Sequence, residues 1–133
     1  MLGLRRSPQI DPLARQAVLG MAGCRVAIGA ATFLATGPAL RAGGLGEANA
    51  SARAVGKVAG GRDLALGLLT FAARDDRQML RTVALAAALL DAADAAAFSF
   101  AAAEPETRAG GALGVLAGGG AALLGFWAFR RLA

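Results

Sequence analysis

The chain has 133 residues, 56% of them hydrophobic and 17% charged, with 14 Lys plus Arg against 9 Asp plus Glu, one Cys, and no His or Tyr. Without histidine there is no imidazole for general-base catalysis near neutral pH, for haem ligation, or for a Ser-His-Asp or Cys-His arrangement, so most hydrolase mechanisms are excluded. The single Cys24 rules out an intramolecular disulfide, a thiolate zinc site and a C-x-x-C redox pair, and it reads as a small core residue.

Soluble chains average about 25% charged and about 45–50% apolar. This chain is poorer in charge and gathers its apolar residues into four blocks, as an integral membrane protein does. The first block, 16–36, carries Arg25; the second, 55–73, carries Lys57, Arg62 and Asp63; the third, 82–103, carries Asp91 and Asp94. The fourth, 109–129, has no charge and is the one block that passes a plain hydropathy test for a hydrocarbon core of about 30 Å. An ionised residue near the bilayer centre costs about 2.5–3.5 kcal/mol and a leucine returns only about 0.5, so the Ala-rich third block needs partners for its aspartates. The competing reading, a soluble Ala-rich bundle with charged pairs inside, has to keep the uncharged fourth block in water.

Breakers separate the blocks. Gly37-Pro38 ends the first helix, and Gly43-Gly44-Leu45-Gly46 opens a small-residue loop or short interfacial helix running to Ser51. Arg74-Asp75-Asp76-Arg77 and Glu104-Pro105-Glu106-Thr107 are tight polar turns. Connections this short make consecutive helices antiparallel neighbours. The expected fold is all-α, an integral membrane up-down-up-down four-helix bundle, with residues 1–15 a cytoplasmic N-terminal segment and 16–131 a single transmembrane domain.

Basic residues set the orientation. Eight (Arg5, Arg6, Arg15, Arg74, Arg77, Arg81, Arg130, Arg131) fall on one side and four (Arg41, Arg53, Lys57, Arg108) on the other, so the positive-inside rule places both termini in the cytoplasm of a multi-pass inner (cytoplasmic) membrane protein. Trp127 and Phe129 then sit in the cytoplasmic aromatic belt. The first block does not read as a cleaved signal peptide, because its apolar run is long, contains Arg25 and has no clean A-x-A site after it.

Nucleotide motifs fail on inspection: Gly44-Leu45-Gly46 lacks the third glycine of a dinucleotide fingerprint, and Gly56-Lys57 is followed by Val58, with Ser51 where a P-loop needs its first glycine. Asn49-Ala50-Ser51 fits a glycosylation acceptor by chance. The net charge of +5 points to anionic lipid at the cytoplasmic face rather than to nucleic acid, since the arginines cluster at the expected membrane edges with no aromatic or basic stripe. Gly110, Gly114 and Gly118 form a small-xxx-small packing face, which serves internal packing or homo-oligomerisation equally well.

At 100° per residue, Val18, Ala22, Arg25, Gly29, Thr32 and Thr36 share one stripe of the first helix; Gly56, Gly60, Asp63, Gly67 and Thr70 share one of the second; and Ala84, Ala87, Asp91, Asp94 and Phe98 share one of the third. Arg62 projects about 100° from Asp63. At about 1.5 Å per residue from the cytoplasmic ends, Arg25 lies near 10 Å, Asp91 near 12 Å, and Arg62, Asp63 and Asp94 near 15–17 Å in depth. Arg25 with Asp91, and Arg62 with Asp94 or folded back onto Asp63, are the expected pairs. Three aspartates against two arginines leave one acid, Asp63 or Asp94, without an obvious basic partner. These five residues are the candidate polar or proton site; the alternative is that they lock weakly hydrophobic helices in register.

Arg25 with Gly29 and the helix-ending Pro38, then Gly61-Arg62-Asp63-Leu64-Ala65-Leu66-Gly67, then Asp91-Ala92-Ala93-Asp94, resemble the small bacterial four-span proteins catalogued as domain of unknown function 4267, which are distantly similar to DoxX-like membrane proteins. The likeness covers about residues 15 to 130. It implies a four-helix membrane fold without an established activity. DoxX-like relatives are associated with quinone-linked oxidoreductase complexes, in which a chain lacking His and a Cys pair would be an accessory subunit. The expected function is therefore a non-enzymatic accessory or scaffolding membrane protein, with no catalytic residues, cofactor or metal, packing against itself or a larger membrane complex. The alternative is a small carrier or sensor that binds a polar ligand, a lipid headgroup or a proton at the Arg/Asp cluster.

Overall fold

Side-chain caps and one proline set the helix boundaries. The computed structural model describes residues 10–133, and among these the elements are α1 (Pro12–Leu34), α2 (Thr36–Ala42), α3 (Ala50–Ala72), α4 (Arg77–Ala103) and α5 (Arg108–Arg131). Asp11 caps α1 by accepting from the amides of Leu13 and Ala14, each at 3.0 Å, with Pro12 pre-set in the first turn. Asn49 caps α3 through the Ala52 amide at 2.8 Å, and Asp76 caps α4 through the Met79 amide at 2.9 Å. Arg5 and Arg6, counted above for orientation, lie outside the described residues, and α1 begins inside the segment expected to precede the first span.

The four-helix expectation is corrected on two counts. The described chain has five helices, because Pro38 has no amide hydrogen and its ring would meet the carbonyl of Leu34, so the backbone breaks at Ala35 (φ −127°, ψ 52°) and restarts as α2. The short helix thus precedes the glycines instead of following them; Gly43 to Asn49 form a loop in which Gly44 and Gly46 take positive φ of 71° and 79°. Second, three helices, α1, α4 and α5, are long and apolar enough to cross a membrane. The ten uncharged residues between Arg62-Asp63 and the turn do not offset the polar N-terminal half of α3, which carries Arg53, Lys57, Arg62 and Asp63. The expectation that the fourth block alone passes a plain hydropathy test is too strict, since Arg25 in the first block and two Asp in the third leave long apolar stretches beside them, and α1 and α4 pass as well.

The helices pack as two close antiparallel pairs, α1 with α3 and α4 with α5, which touch each other more sparsely along α1 against α5 and α3 against α4. Glycines make each pair close. A Cβ on Gly29 would stand 2.7 Å from the Leu64 amide nitrogen, and one on Gly60 would stand 2.7 Å from that of Phe33, so no side chain fits between the two backbones. On the other pair a Cβ at Gly111 would run into the backbone of Ala101 and Ala102, and one at Gly114 into the Phe98 ring.

The interior is small. Ala14, Val18, Ala22, Ala84, Ala87, Ala88, Ala122 and Ala128 are buried, and Leu80 and Leu132 are the largest side chains wholly enclosed. Large apolar residues point outward: Leu34 is 79% exposed, Phe100 77%, and Leu116 and Leu123 74% each. A chain folding in water would bury those side chains, because each is worth about 1.5–3 kcal/mol when removed from solvent. At one end of the molecule Ala14 and Val18 meet Ala73, Leu80, Ala84, Ala128 and Leu132, so the start of α1, the α3–α4 turn and the end of α5 lie together. Cys24, expected in the core, is exposed, since it lies 100° from Arg25 on the outer face of α1.

Candidate functional site

The five ionisable residues singled out by periodicity come together where the two helix pairs meet. Arg25 on α1 donates through Nη2 to Asp91 Oδ2 on α4 and through Nη1 to Asp63 Oδ1 on α3, at 3.3 Å. Arg62 on α3 donates to both carboxylate oxygens of Asp94, at 3.0 and 2.5 Å, and to the same Oδ1 of Asp63 at 3.3 Å. The order is Asp91, Arg25, Asp63, Arg62, Asp94, with the charges alternating. Two cations against three anions leave the chain of five at a formal charge of −1.

Asp63 is thus shared, not left over. A single acceptor oxygen between two guanidinium groups supplies the basic partner that the count of two arginines against three aspartates left missing. Thr70, on the same stripe of α3, gives its hydroxyl to the Leu66 carbonyl one turn back at 2.7 Å and not to Asp63. Arg62 makes both of its expected contacts at once.

Exposure rises along the network from Asp91 to Asp94. The side chains of Asp91 and Arg25 are 9% and 10% exposed, Asp63 is 22%, and Arg62 and Asp94 are 31% and 32%. The Arg25 end is therefore enclosed, and the Arg62–Asp94 end opens at the seam of α3 and α4. Arg62 Nε, itself buried, has no hydrogen-bond partner. Beside Arg25 is a cavity of about 10 Å³, bounded by Val18, Ala22, Thr70, Ala87 and Gly125, just large enough to seat one water molecule. Neither Asp63 nor Asp94 lines it.

The arrangement favours ionic linkage over metal binding, because an arginine stands between each pair of neighbouring aspartates. Among the described residues no group of three or more His, Cys, Asp or Glu is placed to hold a metal ion. The glycine face of α5 turns inward: Gly110 abuts the backbone of Gly43 and Gly44, Gly114 faces Phe98, and Gly118 approaches the Asp91 carbonyl and Ala95. Close approach at Gly118 sets the height of Asp91 against α5.

Arginines at the other functional region suggested by sequence, the basic end, are held by local partners. Arg15 donates to the Arg74 carbonyl and to Asp75, both at 2.8 Å, while Arg81 donates to the Phe129 carbonyl at 3.3 Å with its guanidinium 4.3 Å from that ring. Arg131 lies 5.9 Å from the Trp127 ring centre. No protein family, curated protein or solved structure matches the chain, and nothing in those comparisons points to an enzymatic activity.

Proposed function

We propose that this protein is a small, non-enzymatic, multi-pass protein of the bacterial inner membrane, an accessory or scaffolding subunit that packs against itself or a larger membrane complex. The observation that carries the reading is the charge pairing of the network: all five charged side chains have opposite-charge partners, and the adjoining cavity reaches neither Asp63 nor Asp94. Such a network ties α1 and α3 to α4 in a medium where apolar side chains gain nothing by leaving lipid for one another. The outward leucines and phenylalanines leave broad apolar faces for lipid and a partner.

A second reading, a carrier or sensor for a polar ligand or proton, is favoured by the unpartnered Arg62 Nε at the α3–α4 seam. Native mass spectrometry from nanodiscs separates the two. The scaffold reading expects a fixed assembly with itself or a second protein and no small ligand. A lone chain that retains a small polar ligand, and loses it on Asp94→Asn, would replace that reading with the second.

In this reading the end bearing Arg15, Arg74, Arg77, Arg81, Arg130 and Arg131 faces the cytoplasm, as the basic bias requires. The described start of α1 and end of α5 share that end with the α3–α4 turn. Reporter fusions in the turn at Arg74 to Arg77 and after Ala133 are therefore both expected to read cytoplasm. A periplasmic signal from either would invert or abolish the orientation.

A further inference from the structure

The bend between α1 and α2 opens a second cavity, at the opposite end from the arginine-rich one. Its volume is about 370 Å³, and its walls include the bend itself (Ala35, Thr36, Pro38) together with Arg41, Arg53 and Lys57. Three of the four basic residues at this end of the molecule thus face one space. No Asp or Glu lines it.

Each cation is positioned with donors to spare. Lys57 Nζ gives one hydrogen to the Phe33 carbonyl at 2.8 Å, one of the carbonyls left open where α1 stops, and lies 5.2 Å from the Phe33 ring centre. An ammonium has three hydrogens, so two remain. Arg53, one turn earlier on the same face of α3, uses Nε on the Ala48 carbonyl at 2.9 Å, which fixes the side chain and directs both Nη groups elsewhere. Among the described residues neither Arg53 nor Lys57 has an acidic partner. Arg41 alone is shared, with Glu47 at 3.3 Å, in a pair exposed enough to be worth little.

Basic residues on the side away from the cytoplasm work against membrane orientation, so grouping three of them about one cavity, two without any acidic partner, calls for an anion. The cavity lies where α1 ends and α3 begins, at the depth of lipid headgroups for helices of this length. Leu34, one of its walls, is 79% exposed and offers an apolar surface beside the charges. We propose that Arg41, Arg53 and Lys57 form a binding site for a phosphate group, carried by an anionic phospholipid or free as a soluble phosphate. Guanidinium forks and an ammonium are the side chains that match phosphate oxygens. The site stands apart from the Arg/Asp network; it rests on the membrane placement and orientation proposed above and not on the scaffold role.

The test uses the full chain in a non-ionic detergent. Phosphatidylglycerol is titrated against phosphatidylcholine with native mass spectrometry, and sodium phosphate against sodium chloride at equal ionic strength with thermal unfolding. The wild type is expected to retain one phosphatidylglycerol in preference to phosphatidylcholine, and Arg53→Gln/Lys57→Gln to bind it about 30-fold more weakly, or about 2 kcal/mol. Both side chains are exposed, so the variant should fold; Arg53→Lys/Lys57→Arg, which keeps the charges, should restore most of the binding, and Arg74→Gln/Arg77→Gln at the other end should leave it unchanged. If sodium phosphate instead raises the wild-type melting temperature and not that of the double Gln variant, the site stands with soluble phosphate as its ligand. Equal phosphatidylglycerol retention by wild type and double Gln variant, with no phosphate-dependent shift, would overturn it.

Discussion

Arg25→Ala is expected to lower the stability of the membrane-embedded protein by about 3–5 kcal/mol, the usual cost of stranding one member of a buried ion pair. Arg25 is 10% exposed and holds Asp91 and Asp63 at once, so its removal leaves Asp91, 9% exposed, with no cation and changes the formal charge of the five-residue network from −1 to −2. Asp91→Ala on top of it returns the charge to −1 and leaves Arg62 between Asp63 and Asp94. The double variant should therefore recover part of the loss, measured as accumulation in the membrane and as thermal unfolding in detergent. Arg62→Ala should cost less than Arg25→Ala, because the Arg62–Asp94 end is about a third exposed and its charges have some access to a polar surround. Losses that simply add in the double variant would show that the two residues do not act as a pair.

The inward faces were legible because a helix repeats every 3.6 residues and this chain marks its inner stripe with small residues. Of the stripe predicted for the first helix, Val18, Ala22, Gly29 and Thr36 are buried and Arg25 and Thr32 half-buried, while Gly56, Gly60, Gly67 and Thr70 are buried on α3. Charge and depth then left few ways to pair two arginines with three aspartates. What the sequence hid was geometry at the scale of one side chain. Arg62 and Asp63 are adjacent and point about 100° apart, yet a guanidinium on a long stem reaches back to the neighbouring carboxylate while still gripping Asp94, so an acid counted as surplus is shared. The α1–α2 break was hidden for a different reason: Pro38 announces a stop, but it is equally suited to the first turn of a new helix, and only the backbone at Ala35 decides between them. The basic cavity depends on that break. Arg41, Arg53 and Lys57 lie on two helices and are brought to one space by a bend that spacing alone does not encode.

Gly60→Ala is expected to separate α1 from α3 and to disturb the ionic network with it. A Cβ at this position would stand 2.7 Å from the Phe33 amide nitrogen and 2.8 Å from the Gly29 carbonyl oxygen, and both are backbone atoms of a helix that has no rotamer to yield. Relief requires α1 to move away, and every ionic contact of Arg25 with Asp63 spans that same interface. Overpacking of this kind costs about 1–3 kcal/mol in a well-packed core. In lipid the loss has little to offset it, since helix association there rests on close packing and polar contacts. Gly120→Ala is the matched control: nothing lies within 4 Å of its Cβ position, and alanine is the better helix former by about 1 kcal/mol. Thermal unfolding in detergent should therefore move in opposite directions for the two variants, with Gly60→Ala melting lower than the wild type and Gly120→Ala melting level with it or higher. Combining Gly60→Ala with Arg25→Ala should cost less than the sum of the two, because once the helices have parted Arg25 has already lost part of its hold on Asp63. If Gly60→Ala melts like Gly120→Ala, the two backbones are not in contact in the membrane, and the register that brings Arg25, Asp63 and Arg62 together has some other origin.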